Sequence, residues 1–173
     1  MLETNTRSPW TSSVGRLFDA VSSILGLKQT MAFEGQAAMA VEFMASESEY
    51  KHYPIEWKSV QGFQTLDWSG VLEGILKDND NGLDNSLISA KFQNSLVEGV
   101  IEAGSVFGQN KVLLSGGCFQ NKKLLESSVR GLRAAGLEVF WPREVPPNDG
   151  GVSLGQAIIA RGLGAVDGER SRP

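Results

Sequence analysis

The chain of 173 residues has one cysteine, Cys118, and one histidine, His52. A single thiol excludes an internal disulfide, and so few soft or borderline ligands exclude a closed zinc site made from this chain alone. Positive charge is also short: 16 Lys and Arg stand against 20 Asp and Glu, a formal net charge of -4. Capture of nucleic acid through its phosphates needs clustered cations, so no nucleic-acid partner is expected. No apolar run approaches the roughly 20 residues that cross a bilayer. The opening MLETNTRSP lacks the charged-then-apolar layout of a secretory signal. The expectations are therefore no membrane and a cytoplasmic location. The chain has no internal repeat and no low-complexity tract.

What is present suffices for a core, since 41% of the residues are hydrophobic and the length suits one domain or two small ones. Val14, Leu17, Phe18, Val21, Ile24 and Leu25 recur at three- and four-residue spacing, which predicts a helix from Ser12 to Leu27 with a serine cap and Gly26 as its stop. A second helix is expected from Gly35 to about Ala45, starting at the FEG turn. Between Glu49 and Asp67 the spacing changes to alternation and predicts two strands about a turn at Gln61 and Gly62. SGVLEGILKDNDNG reads as a short helix ending in a polar loop, and Leu83 to about Gly108 as a long helix with an apolar stripe.

The last third alternates. KVLLS is a strand, NKKLLESSVRGLRAAG a helix closed by Gly136, LEVFW a strand, PREVPPNDGG a loop and VSLGQAIIARGLG a helix. That order implies a parallel pairing with a right-handed crossover. The expected organisation is an N-terminal extension over 1–11, a folded lobe over 12–163 and a flexible polar tail over 164–173.

Two glycine-bearing loops then fall on one edge of the sheet, where open α/β sheets place ligands. LSGGCFQN, 114–121, sets Gly116 and Gly117 before a helix start, where a missing Cβ lets a ligand near the main chain; the other reading, which the residues alone favour, is a tight turn with small residues packed under a helix. In VPPNDGG, 145–151, two prolines stiffen the approach, and Gly150 and Gly151 free the backbone before the last helix. Asp149 there is either a helix cap or a hard-metal or phosphate-site ligand. Asp19, in the first half of the first helix, is either a solvated helix residue or a carboxylate for ribose hydroxyls.

SSVGRLFDAVSSILGL, FEGQAAMAVE, ISAKFQNSLVEGV, VLLSGGCFQNKKLL and VPPNDGGVSLGQAIIA, in this order, resemble the C-terminal part of HypF, the carbamoyltransferase family of [NiFe]-hydrogenase maturation. The likeness covers nearly the whole chain from Ser8 to Ala160. More distantly the chain is similar to the second half of TsaD, which makes threonylcarbamoyladenosine in tRNA. The resemblance implies an α/β fold, one lobe of an actin-like ATPase of the TsaD-like kind, with a mixed sheet and flanking helices.

It also implies a chemistry. In the family, carbamoyl phosphate is cleaved, and ATP activates the carbamoyl group as carbamoyl-adenylate. The TsaD-like domain then passes it to the C-terminal cysteine of a HypE-type partner, where dehydration gives the thiocyanate that becomes the cyanide ligand. By resemblance Asp19 meets the ribose hydroxyls, Gly35 of FEGQ gives a backbone contact to the nucleoside, and Gly116 and Gly117 form the phosphate-side loop. Asn121 matches a position near the adenosine, and Asp149 the metal-ligand aspartate. The divalent metal (Mg, Fe or Zn) would be shared with the other lobe, since the family's paired histidines lie in the half that is absent here. The modules that make the carbamoyl-adenylate are absent too, so the remaining HypF domains are implied partners and the chain by itself is expected to be inactive. The family commonly has His where this chain has Gln93, and it fills the Cys118 position variably, so Cys118 reads as a small packing residue. Two other readings stand beside this one: a noncatalytic interaction module or decayed fragment, and a component of the tRNA threonylcarbamoyl transferase.

Overall fold

The computed structural model describes residues 11–60, 62–106 and 108–170, with 163–170 as backbone alone. The expected extension lies outside the described residues but for Thr11. In chain order the elements are α1 (Val14–Ile24), α2 (Gln36–Met44), β1 (Glu56–Val60), β2 (Phe63–Asp67), α3 (Ser69–Asp80), α4 (Asn85–Val106), β3 (Lys111–Leu113), α5 (Lys122–Ala134), β4 (Glu138–Phe140) and α6 (Val152–Arg170). Two 3-10 turns, Gly117–Gln120 and Asp149–Gly151, lie between β3 and α5 and before α6.

Glycine stops both amphipathic helices as their sequences indicate. At the end of α1, Gly26 takes φ 68°, its N–H donates to Ser23 O at 3.1 Å, and Leu27 N–H reaches back to Ser22 O at 2.9 Å. The end of α5 repeats this with Gly136, φ 84°, and Leu137 N–H on Leu132 O at 3.0 Å. These reversed bonds satisfy carbonyls that a helix end otherwise leaves free, and the positive φ they need suits glycine.

α1 to α4 bury Phe18, Val21, Val41, Val71, Ile75, Ile88 and Phe92 in one core, with the rings of Phe18 and Phe92 edge to face at 5.0 Å. A second cluster, Leu114, Val129, Leu132 and Val139, lies between α5 and the strands β3 and β4. Phe119 of the first 3-10 turn packs against both clusters. α4 and α5 approach closely because each has a glycine at the contact: a Cβ on Gly104 would stand 2.6 Å from Leu132 Cδ2, and one on Gly131 2.2 Å from Ile101 Cδ1.

β1 and β2 form an antiparallel hairpin from Glu56↔Asp67 to Val60↔Phe63, with Gly62 at φ 86°. Gln61, the other expected turn residue, lies outside the described residues. β3 and β4 pair in parallel, as the strand-helix-strand order requires. Among the described residues these pairings form two separate two-stranded sheets. α6 stands exposed along Val152–Gly162, with Val152, Leu154, Ile158 and Ile159 facing solvent. It runs on through 164–170 of the segment assigned to the tail, and 171–173 lie outside the described residues. Among the described residues no helix is long and apolar enough to cross a membrane.

Candidate functional site

The LSGG stretch leaves β3, turns at Gly116 and passes through the 3-10 turn into α5. Gly116 has φ 106° and ψ 160°, a backbone region that is essentially closed to residues with a Cβ. Its N–H donates to the Pro147 carbonyl at 2.9 Å. This bond brings the two glycine-bearing loops together. Among the described residues, a Cβ on Gly116 would meet nothing within 4 Å, and one on Gly117 only the Asn148 Cβ at 4.0 Å. The two glycines thus border open space, where another molecule can approach the main chain.

The second loop is built differently. Asn148 Oδ1 accepts the Gly150 N–H at 3.0 Å, so the cap that Asp149 was a candidate for falls to its neighbour. A Cβ on Gly150 would lie 3.1 Å from Pro146 Cγ, and one on Gly151 2.9 Å from Pro146 O. These glycines are small so that the loop can fold on itself before α6. Asp149 stands exposed, its carboxylate without a hydrogen-bond or ion-pair partner among the described residues. No group of three or more His, Cys, Asp and Glu able to hold a metal occurs among the described residues. One carboxylate leaves most coordination positions to water, so this chain by itself does not fit a firmly bound ion.

Asp19 is mostly shielded, and its Oδ2 lies 2.9 Å from Arg16 Nη1. The approach is not angled as a hydrogen bond, so the buried Oδ2 keeps unused acceptor capacity among the described residues. α1 itself lies against the Gly117–Gln120 turn, with Cys118 and Phe119 packed on the core that holds Phe18. Arg16 also lines an open depression with Thr11, Ser13 and the stretch from Met31 to Gly35. Gly35 ends that stretch in the left-handed region, φ 80°, and opens α2. The α1 start and the FEG turn thus share one depression, and the two glycine loops share the Gly116–Pro147 bond. A larger concavity of about 900 Å³, lined by Glu42, Glu49, His52, Asn94, Lys122 and Arg130 among others, contains none of the candidate residues.

Asn121 is turned inward and only 8% exposed. Its Oδ1 accepts the Leu124 N–H at 2.8 Å, capping α5, and its Nδ2 donates to Gln93 Oε1 at 2.9 Å. Both ends of the carboxamide are thus engaged within the protein. Cys118 is partly buried, and that burial pushes its thiol up, away from the reactive thiolate. Sequence reasoning missed Arg16, the Pro147 carbonyl and the bond from Asn121 to Gln93. Arg16 could have been found from its i,i+3 spacing to Asp19. The other two act across the fold and leave no local pattern.

A family model described as "Carbamoyltransferase, Kae1-like Domain, second subdomain" matches residues 1–156. Carbamoyltransferase HypF of Synechocystis sp. is 40% identical over 154 residues, 88% of this chain and 20% of that protein. The HypF of Rhizobium leguminosarum bv. viciae is 35% identical over 161 residues, 89% of this chain and 20% of that one. Among solved structures, full-length HypF in its phosphate- and nucleotide-bound form is similar at a TM-score of 0.82 and 41% identity, over 88% of this chain and 20% of that chain. HypF of T. kodakarensis gives a TM-score of 0.66 at 26% identity, over 86% and 20%. The chain thus spans about a fifth of the length of these relatives.

Proposed function

The chain belongs to the HypF carbamoyltransferase family, as the second subdomain of its Kae1-like domain, and from that premise we propose that it forms one wall of a carbamoyl-adenylate site completed by another lobe. What carries the reading is the Gly116 N–H to Pro147 O bond, which sets two glycine loops side by side with open space beside Gly116 and Gly117. With the Gly116 N–H taken by Pro147, donors to phosphate oxygens on this loop come from the main chain of Gly117 onward. Asp19, with an acceptor oxygen to spare, is assigned to the ribose hydroxyls, and Gly35 to the nucleoside face. Asn121 supports the loop from below. A divalent metal enters only as an ion whose other ligands come from the complementary lobe, with Asp149 as this chain's single contribution.

In the proposed transfer, the cysteine thiolate of a HypE-type partner attacks the carbamoyl carbon. A C–S bond forms, the C–O bond to AMP breaks, and AMP leaves with the electron pair. This chain supplies orientation and charge screening for that step and no nucleophile. The phosphate- and nucleotide-bound state of the similar HypF structure favours a nucleotide as the occupant. The remaining HypF domains, as separate or connected chains, and a cytoplasmic setting belong to the same proposal.

Isothermal titration of ATP with magnesium, against this chain alone and with the complementary lobe, tests it. Weak binding alone and a marked gain with the lobe are expected. Asp149→Ala should reduce the magnesium-dependent part of the affinity while leaving the fold intact. Equal affinity with and without the lobe would sink the shared site, and an unchanged constant for the variant would remove Asp149 from it.

A further inference from the structure

The start of α5 is held from α2 by a chain of directed bonds that passes through one buried side chain. Asn121 accepts the Leu124 N–H and donates to Gln93 Oε1 at 2.9 Å. Gln93, in α4, has no exposed surface. Its Nε2 donates onward to the Val41 carbonyl of α2 at 3.2 Å and, longer, to Ser89 O at 3.5 Å. Beside Val41, Glu42 Oε1 accepts the Lys122 N–H at 2.8 Å. Lys123 Nζ then donates to Ser46 O, just past the end of α2, at 2.6 Å. α2 is the helix that opens at Gly35, and α5 is the helix that the Gly117–Gln120 turn feeds.

A buried amide is a costly way to fill space, because an apolar side chain of the same size packs there without desolvation. What the amide adds is direction at both ends. We infer that Gln93 is a positioning residue: through Asn121 it fixes the phosphate-side turn, Gly117–Gln120, relative to the helix that starts at Gly35. The inference rests on the proposed nucleotide site for its ligand, but the tie between the two walls stands on the hydrogen bonds alone.

Amide hydrogen exchange on the 173-residue chain tests the tie, comparing the parent with Gln93→Met, Asn121→Ala and the double variant. Methionine keeps the volume and removes all three bonds. Expected is an increase of about tenfold in exchange at the Cys118 to Leu124 amides, the scale of one net hydrogen bond, with α3 and the far end of α5 unchanged. If Gln93 acts through Asn121, the double variant exchanges no faster in this segment than Asn121→Ala. A rise spread evenly over the whole chain would make Gln93 mere core filling, and additive effects in the double variant would break the route through Asn121; either overturns the inference. ATP titration with magnesium and the complementary lobe, run in parallel, should show about tenfold weaker binding for Gln93→Met. Equal binding by parent and variant would deny Gln93 a part in the site. Absence of binding by the parent counts against the nucleotide reading instead, and hydrogen exchange then decides the tie.

Discussion

Gly74, Gly104 and Gly131 sit inside helices, where a Cβ would strike Tyr53 Cδ1 at 2.3 Å, Leu132 Cδ2 at 2.6 Å and Ile101 Cδ1 at 2.2 Å. Gly116 and Gly117 sit at the sheet edge, where a Cβ would meet open space or a single atom at 4.0 Å. The same residue type therefore serves opposite ends in the two regions. In the helical body glycine lets elements touch, and at the loop edge it keeps room that the chain itself does not fill. A packed body with a bare, backbone-lined edge fits a subdomain whose site is completed from outside.

The contrast breaks most visibly at Gly74. Gly74→Ala forces a methyl into the Tyr53 ring, which Asp78 anchors by accepting the Tyr53 hydroxyl at 2.9 Å. Overpacking against a fixed ring should cost about 3 kcal/mol in urea unfolding. A loss below about 1 kcal/mol would mean that the body yields as easily as the edge.

Next comes Gly116→Ala, which has space for its methyl yet must hold φ 106°. The strain should lower stability by about 2 kcal/mol, read as a drop in thermal midpoint. A neutral outcome would show that the loop relaxes out of that conformation, and would end its claim to a fixed shape.

A polar tie in the body gives a third, smaller effect. The Lys91 ammonium bonded to Asp78, with the Tyr53 hydroxyl second, holds the Asp78 carboxyl below its usual range. A depressed folded-state pKa contributes stability above the ordinary carboxylate value of about 4, and that contribution is lost as pH falls through the folded value. Asp78→Asn should thus cost about 1 kcal/mol at neutral pH and flatten the fall in stability as pH drops below the ordinary carboxylate value of about 4. An unchanged slope in denaturation at stepped pH would take Asp78 out of the acid response.

The smallest effect on stability sharpens the contrast most. Gly117→Ala lies in a 3-10 turn with ordinary backbone angles and open surroundings, so its unfolding free energy should stay within about 0.5 kcal/mol of the parent. Its nucleotide affinity in the presence of the complementary lobe should nevertheless fall about tenfold, because the methyl enters the space kept for the ligand. Affinity equal to the parent's would return SGG to a plain turn.

Much of the fold was legible because its signals are local. The spacing from Val14 to Leu25 predicted α1 to within two or three residues at each end, and Gly26 and Gly136 marked real helix stops. The strand-helix-strand order gave the parallel pair β3 and β4. The site was legible only in outline. The order of elements put the LSGG and VPPNDGG loops on one edge, and the Gly116 N–H to Pro147 O bond joins them there. Composition could not show that Gly150 and Gly151 make room for Pro146 of their own loop. Nor could it show that Asn121 turns inward, since its partner Gln93 lies on another helix, with no periodicity linking the two.

By itself the sequence determined the helices, their stops, the two short pairings and the family, because each depends on spacing or on motifs a few residues long. Only the tertiary structure decided which glycines face empty space among the described residues, that Asn148 rather than Asp149 makes the cap, and that buried Gln93 links Asn121 of α5 to the Val41 carbonyl of α2. Those outcomes depend on which surfaces meet and on where hydrogen-bonding groups find partners once water is excluded, and residues far apart in the chain set both together.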